Sequence, residues 1–358
     1  MALTKTQAQS SSTLLEILSQ PEVWQASFRE LQQDSSLLDA LAETSSRTEW
    51  LFLGCGTSFY LAEAAAASWT LLTGQRARAL PASEPMLFPQ LTLARSTGLQ
   101  AVVISRSGRT SEAVRAASLL SREYRVPTLG ITCASDTPLA EACDRTIQVC
   151  AADEKSTVMT RSFTSMLLAL QHLASCKSSE KTFSASLEAM AAHFSRQIRP
   201  LADRIEAFVN AHTFADYVFL GQGPFHGIAR EASLKVTEMS CSYSQVYHTL
   251  EFRHGPKAIV GPDTCLTFFL SESGSQAETE VLSEMKELGG VTIAVCSRSN
   301  DAIRRSADFV FELGLSLPEL AVLAPFVVPA QLLGFYSGIK KGLNPDHPRN
   351  LTRVVILD

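Results

Sequence analysis

The sequence is poor in charge: charged residues make up 19% of its 358 positions, whereas hydrophobic residues make up 46%. A chain of this composition can bury large cores and is not disordered over most of its length. Its 31 Lys and Arg are outnumbered by 36 Asp and Glu, which gives a formal net charge of −5. The chain therefore lacks the basic excess that favours general binding to nucleic acid or acidic membranes, and any anionic ligand needs a local site.

Long apolar runs and paired cysteines are also missing. No stretch approaches about eighteen uninterrupted apolar residues, and residues 1–12 are polar, unlike a signal peptide. We therefore expect a cytoplasmic protein without a membrane-spanning segment. None of the eight cysteines belongs to a CxxC pair, and several, such as Cys296, lie in apolar runs typical of strands. We expect no zinc site and structural roles for most of them.

The chain repeats one pattern at a shift of about 165 residues. The matching segments are WLFLGCGTS (50–58) with YVFLGQGPF (217–225), VVISRSG (102–108) with TFFLSESG (267–274), and TLGIT (128–132) with TIAVC (292–296). Continuous apolar runs alternate in each copy with segments whose apolar residues recur every three or four positions, which indicates buried strands and helices. We predict an α/β fold in which each half is a doubly wound parallel sheet of the flavodoxin type, with helices on both faces.

This organisation predicts a helical segment over 1–45 and two domains over 46–182 and 183–358, the second ending in a tail. Outside the copies we predict further elements from periodicity and from proline. They are two helices within 13–43 broken near Pro21, a helix over 165–173, a polar linker over 177–181, one long helix over 183–211, a buried helix over 317–339 and a strand over 354–357.

The segment SRSGRTS at 105–111 has the composition of a phosphate-binding loop. It follows an apolar strand and precedes a helix, so hydroxyls, free backbone N–H groups and the helix dipole would face an anion beside Arg106 and Arg109. The alternative is an ordinary helix cap, for which one Ser or Thr would suffice. The GCGTS turn at 54–58 follows the first strand and would lie beside this loop. The second copy has Glu272 where the first has Arg106, so we expect no anion there.

A second set of polar residues follows the first strand of the second copy. Glu231, Lys235 and Glu238 share one face of a predicted helix, and His254 follows in EFRHGPK at 251–257. The alternatives are a solvated charged stripe and a structural histidine. Their place at the carboxyl end of a sheet favours acid–base catalysis.

Seven motifs together resemble those of the tandem sugar isomerase (SIS) domain proteins. They are LLEILSQPEVW (14–24), CGTS (55–58), SRSGRTSE (105–112), TRSFTS (160–165), GIAREASLKVTEMS (227–240), FRHGPK (252–257) and HPRNLTRVV (347–355). The family includes the isomerase part of glucosamine-6-phosphate synthase and galactosamine-6-phosphate deaminase/isomerase. The resemblance implies two SIS domains, a homodimer, an active site at the domain junction, and a sugar phosphate substrate handled without metal or cofactor.

The resemblance also implies roles for individual residues. The phosphate would be held by Ser105, Ser107 and Thr110, with Thr57, Ser58 and Arg106 nearby, and the sugar by Cys55, Thr160 and Arg353. Glu238 would move a proton between C1 and C2. His254, supplied by the neighbouring subunit, would open the ring, and Glu231 and Lys235 would orient the sugar and the base.

Two positions depart from the synthase pattern. Arg353 stands where the synthase has a lysine, which implies that the reaction does not pass through a lysine imine. Met159 stands where the synthase has a serine in the sugar pocket, which implies a different sugar. The chain also has no glutaminase segment, so we do not expect glutamine-dependent amidotransfer. Our leading hypothesis is an amino sugar 6-phosphate isomerase that releases ammonia. The alternatives are a fructosamine-phosphate deglycase and a non-catalytic sugar-phosphate sensor.

Overall fold

The computed structural model describes residues 9–33, 45, 48–93, 98–178 and 180–357. The chain divides into two compact units. The first-sheet unit comprises the described residues within 22–154, 161–188 and 352–358, and the second-sheet unit those within 1–21, 155–160 and 189–351. The predicted domain boundaries at 45/46 and 182/183 stay predictions, and residue 46 lies outside the described residues.

Each unit contains one parallel five-stranded sheet. In the first-sheet unit the order is β2-β1-β3-β4-β5, and the strands are β1 Glu49–Gly54, β2 Ala77–Pro81, β3 Leu99–Ile104, β4 Thr128–Thr132 and β5 Arg145–Gln148. In the second-sheet unit the order is β10-β9-β8-β6-β7, and the strands are β6 Asp216–Gly221, β7 Ser244–Tyr247, β8 Thr264–Phe269, β9 Val291–Cys296 and β10 Phe309–Glu312. Read along the chain, both sheets have the order 2-1-3-4-5, so the predicted flavodoxin-type winding is confirmed for both copies.

Helices precede, connect and follow the strands. Those of the N-terminal part and the first sheet are Ser12–Leu18, Gln20–Gln33, Thr57–Thr73, Glu84–Leu87, Pro89–Thr92, Ser111–Ser118, Pro138–Ala142 and Arg161–Ser178. Those that follow are Lys181–Phe194, Ile198–Ala211, Pro224–Ser240, Ser275–Glu287, Asp301–Ser306 and Leu323–Lys340. Single turns of other helical types lie at Leu119–Glu123, Cys150–Ala152, Glu251–Arg253, Pro256–Ile259 and Glu319–Val322.

The turn after the first strand has the same backbone geometry in both copies. Gly56 has φ 53° and ψ −124°, and its counterpart Gly223 has φ 54° and ψ −127°. A Cβ at Gly54 would lie 2.4 Å from the Ser58 carbonyl oxygen, and one at Gly221 would lie 2.4 Å from that of Phe225. Glycine is therefore required where each helix starts against its strand.

The apolar helix Leu323–Lys340 is buried in the second-sheet unit. With the turn before it, it spans 319–340 and is the one helix among the described residues that is long and apolar enough to cross a bilayer. However, 94% of its most apolar 18-residue stretch is buried within the protein. It packs closely on the helix Pro224–Ser240, because a Cβ at Gly334 would lie 2.8 Å from the Lys235 carbonyl oxygen. Its burial identifies it as a core helix.

The predictions for the connecting segments have mixed outcomes. A helical break near Pro21 is confirmed between Leu18 and Gln20, whereas 34–43 lies outside the described residues. The helix predicted over 165–173 is confirmed and extends over Arg161–Ser178, and the one over 317–339 is confirmed in its main part as Leu323–Lys340.

Three other predictions are wrong. The helix over 183–211 is two helices, because Pro200 has no amide hydrogen and fits only the first turn of the second one. The linker over 177–181 is shorter, since helices end at Ser178 and begin at Lys181. The tail 354–357 is not a strand, because its backbone bonds to Ser111, at the start of a helix, instead of to a strand edge: Ser111 N donates to Val355 O at 3.2 Å.

Candidate functional site

The loop 105–110 joins β3 to the helix Ser111–Ser118 in a tight turn. Ser105 N donates to Ile131 O at 3.0 Å, and the Ser105 hydroxyl lies 3.3 Å from the Thr110 hydroxyl. Gly108 has φ +61°, and a Cβ there would lie 2.4 Å from Thr137 Oγ1, so no larger residue fits. The loop therefore presents its hydroxyls and backbone at the N-terminus of a helix, where an anion is stabilised.

The predicted phosphate-binding residues lie at one edge of the first sheet. Thr57 and Ser58 are buried in the first turn of the helix after β1, and β1 pairs with β3, from which the loop 105–110 emerges. Ser107 is half-buried, and its hydroxyl accepts a hydrogen bond from Arg109 N at 3.2 Å. Both loops thus lie beyond the carboxyl ends of the strands, which is where parallel sheets bind their ligands.

Arg106 is buried against Glu154, a residue that the sequence reasoning missed. Its Nη1 lies 3.4 Å from Glu154 Oε2, and its Nη2 donates to Arg353 O at 3.1 Å. The Arg106 side chain is 4% exposed and that of Glu154 0%. Glu154 also accepts a short hydrogen bond from the Ser162 hydroxyl. The guanidinium charge that the sequence places beside the loop is therefore balanced by a carboxylate from elsewhere in the same unit.

Two predicted sugar-binding residues also lie in the first-sheet unit. Arg353 is directed at the segment after the 3-10 turn Cys150–Ala152, where it forms an ion pair with Asp153 at 2.8 Å. Cys55 is half-buried, with its Sγ 3.9 Å from Glu112 Oε2. Burial first, and the Glu112 carboxylate second, raise the pKa of Cys55 to about 12. Cys55 is thus a neutral thiol at pH 7 and has no thiolate reactivity.

The second-sheet unit contains the predicted acid–base residues on the helix Pro224–Ser240. Lys235 Nζ lies 2.5 Å from Glu238 Oε2 and 3.4 Å from Glu231 Oε1. The side chains of Lys235 and Glu231 are fully buried, and that of Glu238 is 17% exposed. A solvated charged stripe is therefore excluded. One ammonium group is held between two carboxylates, of which only Glu238 reaches solvent.

His254, the other predicted acid–base residue, is exposed, unlike the buried Lys235 and Glu231. It sits on a turn whose geometry is fixed by the bond from its own N to Glu251 O at 2.9 Å and by Gly255 with φ +118°. Thr160, the last predicted sugar-binding residue, is buried, and its carbonyl accepts a hydrogen bond from Gln331 Nε2 at 3.4 Å.

A pair of stacked histidines at the carboxyl end of the second sheet was also missed. The rings of His226 and His248 stack with centroids 3.9 Å apart. Burial first, and then the neighbouring His248 and Arg230, lower the pKa of His226 to about 4, so it is neutral at pH 7. The two residues are far apart in sequence, and no local pattern links them. Among residues 9–33, 45, 48–93, 98–178 and 180–357, no group of three or more His, Cys, Asp or Glu side chains is placed to hold a metal ion.

Sequence comparison finds relatives of two kinds. A probable glutamine–fructose-6-phosphate aminotransferase of Acanthamoeba polyphaga mimivirus is 25% identical over 97% of this chain, which covers 58% of that protein. The chain spans about half the length of the aminotransferases it matches. A protein of Streptomyces coelicolor, provisionally named D-galactosamine-6-phosphate deaminase AgaS, is 28% identical over 94% of this chain and 91% of its own length.

Solved structures share the fold over nearly the whole chain. The glucosamine-6-phosphate deaminase of Thermotoga maritima is 28% identical, with a TM-score of 0.78 over 97% of this chain and all of that one. The tagatose-6-phosphate ketose/aldose isomerase of Escherichia coli is 23% identical, with a TM-score of 0.85 over 100% of this chain and 98% of that one. At that identity the second comparison shows the fold alone.

The family assignment rests on two matched segments. The SIS domain model matches residues 45–176 and 216–333, which contain the two five-stranded sheets, the loop 105–110 and the helix with Lys235. The matches coincide with the two copies of the sequence repeat. With more than half of its length matched, the chain belongs to the SIS domain family.

Proposed function

We propose that the protein is a sugar-phosphate isomerase that converts an amino sugar 6-phosphate into a ketose 6-phosphate and ammonia. The observation that carries this proposal is the buried Glu231–Lys235–Glu238 cluster, in a family member that also has a phosphate-type loop. A protein that only binds a sugar phosphate needs the loop but gains nothing from a lysine buried between two carboxylates, because burying these charges is costly. Two relatives at 28% identity have deaminase names, which supports the same chemistry.

In this proposal the phosphate group binds the first-sheet loop. Ser105, Ser107 and Thr110 provide hydroxyl groups, and the start of the helix Ser111–Ser118 provides a favourable dipole, although the N–H of Ser111 itself is bound by Val355 O. Thr57 and Ser58 complete the site from the adjacent turn. The guanidinium of Arg106 is bound by Glu154, so Arg106 supports the phosphate site by fixing the position of the loop.

Glu238 acts as the base in the proposed reaction. Its carboxylate lies 2.5 Å from Lys235 Nζ and is the one acidic group of the cluster that reaches solvent, so it is placed to exchange a proton with a bound sugar. After His254 has transferred the proton that opens the ring, Glu238 takes the proton from C2 and returns it to C1. The resulting imine at C2 is hydrolysed by one water to the ketose and ammonia, so the atoms balance without a redox step.

Glu231 and Lys235 act by orientation. Lys235 is held from both sides and in turn fixes the carboxylate of Glu238, which limits the positions that the base can take. Cys55, Thr160 and Arg353 are proposed to contact the sugar. Cys55 does so as a neutral thiol, and the guanidinium of Arg353 cannot form an imine with the substrate.

The test is an assay with glucosamine 6-phosphate, galactosamine 6-phosphate, tagatose 6-phosphate and a fructosamine 6-phosphate, measuring ammonia and ketose 6-phosphate. We expect ammonia and ketose from at least one amino sugar, and a kcat about a hundredfold lower or worse for Glu238→Gln, which still binds the substrate. No turnover of any substrate would overturn the proposal. Release of a free amino acid would instead identify a deglycase, and binding without turnover would identify a sensor.

We also propose that the enzyme is a homodimer in which His254 serves the partner's site. Glu238→Gln and His254→Asn chains would each be inactive, but refolding them together would create one site per heterodimer with both native residues. About a quarter of the wild-type activity should return. If no activity returns in verified heterodimers, His254 serves the site of its own chain.

A further inference from the structure

The two copies place a glutamate at the same point of the fold. Glu154 follows β5 and Glu319 follows β10, at the shift of about 165 residues that relates the copies. In each unit this glutamate reaches the loop that follows the third strand in chain order: β3 in the first-sheet unit and β8 in the second. What the carboxylate does there differs between the copies.

In the second-sheet unit the carboxylate of Glu319 occupies the loop. Its Oε1 accepts hydrogen bonds from the backbone N of Glu272 at 2.6 Å and of Ser273 at 3.0 Å, and its Oε2 accepts one from the Ser273 hydroxyl at 2.6 Å. By the repeat, Glu272 and Ser273 correspond to Arg106 and Ser107. The donors that would take a phosphate in this copy therefore already hold an anion that belongs to the chain.

In the first-sheet unit the equivalent carboxylate is engaged elsewhere. Glu154 Oε2 is paired with the Arg106 guanidinium at 3.4 Å and bonded by the Ser162 hydroxyl, and both charged side chains are buried. The second copy has a glutamate where Arg106 stands, so it has no cation at this point of the loop that could hold Glu319 in the same way.

We propose that Arg106 keeps the phosphate loop open by binding Glu154, which would otherwise occupy the loop as Glu319 does in the second copy. Arg106 and Glu154 are then positioning residues, and the ligand class is a phosphate monoester or inorganic phosphate. This inference rests on one part of the proposed function, namely that the loop 105–110 binds phosphate. It does not depend on which reaction follows.

The energetics favour movement of the Glu154 carboxylate into the loop when Arg106 is removed. A buried carboxylate that loses a buried cationic partner carries a desolvation cost, and it recovers part of that cost by accepting N–H and O–H hydrogen bonds. The second-sheet unit shows the geometry with which the fold provides them. Removing the charge of Glu154 together with that of Arg106 eliminates both the cost and the competing anion, because a neutral pair has no unpaired buried charge.

The test compares the affinity for inorganic phosphate, measured by titration calorimetry, of the wild-type chain, Arg106→Gln, Glu154→Gln and the double variant. We expect the affinity of Arg106→Gln to fall at least about tenfold and that of the double variant to return to within about threefold of wild type. A double variant as weak as Arg106→Gln would mean that Arg106 contacts phosphate itself, and would overturn the inference. So would undiminished binding by Arg106→Gln.

The double variant decides the question even if Arg106→Gln fails to fold, since it lacks the guanidinium and contains no unpaired charge. Its fold is checked by circular dichroism and by its unfolding midpoint in urea. A purely structural role for Arg106 would lower stability but would not predict that removal of a carboxylate restores binding. If the wild-type chain itself binds neither inorganic phosphate nor a sugar phosphate, the proposed function fails, which is a distinct result.

Discussion

Lys235 Nζ lies 2.5 Å from Glu238 Oε2, and the lysine side chain has no exposure to solvent. Glu231, one turn earlier on the same helix, places a second carboxylate 3.4 Å from the same nitrogen. Two carboxyl groups thus face one amino group, and of the three side chains only that of Glu238 reaches solvent. The geometry therefore holds the carboxyl group of Glu238 at one defined position.

The first prediction concerns this cluster. Lys235→Met should lower the free energy of unfolding by about 3 to 5 kcal/mol, because it removes a fully buried cation that lies 3.4 Å from the fully buried Glu231. The measurement is urea unfolding at neutral pH. The double variant Glu231→Gln/Lys235→Met should recover most of the loss.

The matched control is Lys286→Met, since Lys286 pairs with Asp308 at the surface, where its side chain is 39% exposed. Its expected cost is at most about 1 kcal/mol. An equal loss of unfolding free energy in Lys235→Met and Lys286→Met would show that burial of the Lys235 cluster does not make its ion pairs more important for stability than a surface pair.

The sequence was sufficient to predict the two sheets and the side chains at their carboxyl edges. The sequence repeat at 50–58 and 217–225 predicts two turns of the same backbone conformation. The structure has these turns, with nearly equal φ and ψ angles at Gly56 and Gly223. Spacing also placed Glu231, Lys235 and Glu238 on one helix face. Spacing could not show that this face is buried, because charged residues recur at the same helical spacing on a buried face and on a solvent-exposed face.

The residues that were missed make contacts between distant parts of the chain. Glu154 acts on Arg106, 48 residues earlier, and His248 on His226, 22 residues earlier. Neither pair leaves a periodic or motif signal. The repeat does align Glu154 with Glu319, so a comparison of the charged residues after each fifth strand would have found that pair.

A second prediction concerns the reactivity of the cysteines. An aromatic disulfide reagent at pH 7.5 should label the exposed Cys150, Cys176 and Cys241 first. Cys55 should remain unlabelled on that timescale, because burial and Glu112 raise its pKa to about 12 and thiolate is scarce.

Glu112→Gln should speed the labelling of Cys55, since it removes a negative charge that opposes the thiolate. Mass spectrometry of digested samples identifies the labelled residues. Rapid labelling of Cys55 in the wild-type chain, or no acceleration in the variant, would contradict this account.

A third prediction concerns the stacked histidines. The pKa of His226 lies at about 4 in the folded chain, below the usual value of 6.5, so the unfolded chain binds more protons between these two pH values. The contribution of His226 to stability is therefore complete above about pH 6.5 and is lost as the pH falls towards 4.

Replacing the neighbour should shift this titration. His248→Asn removes the second-largest cause of the low pKa, so the titration midpoint of His226, followed by NMR of its ring protons, should rise. In His226→Asn the loss of stability between pH 6.5 and 4 should be smaller than in the wild-type chain. An unchanged midpoint in His248→Asn would show that His248 does not contribute to the low pKa of His226.

The last prediction concerns Asp346, which anchors the first helix of the second-sheet unit. Its carboxylate accepts hydrogen bonds from the Ser11 hydroxyl at 2.6 Å, from Thr13 N at 2.9 Å and from the Thr13 hydroxyl at 2.7 Å, at the N-terminus of the helix Ser12–Leu18. Burial by itself raises the pKa of Asp346, but these hydrogen bonds outweigh it and hold the pKa below its usual value. Asp346→Ala should therefore lower the free energy of unfolding by about 2 to 3 kcal/mol at pH 7.

The pH dependence of this loss separates the charge from the packing. Because the folded pKa is depressed, the contribution of Asp346 is complete above its unfolded pKa of about 3.9 and is lost as the pH falls through the folded value. The difference between wild type and Asp346→Ala in urea unfolding should thus be constant from pH 7 to 5 and shrink below pH 4. Asp301→Asn, at the exposed start of another helix, is the control and should cost less than about 1 kcal/mol. A difference that persists undiminished at pH 3 would mean that Asp346 acts through its shape, since a protonated carboxyl group retains the shape but loses the charge that the surrounding donors face.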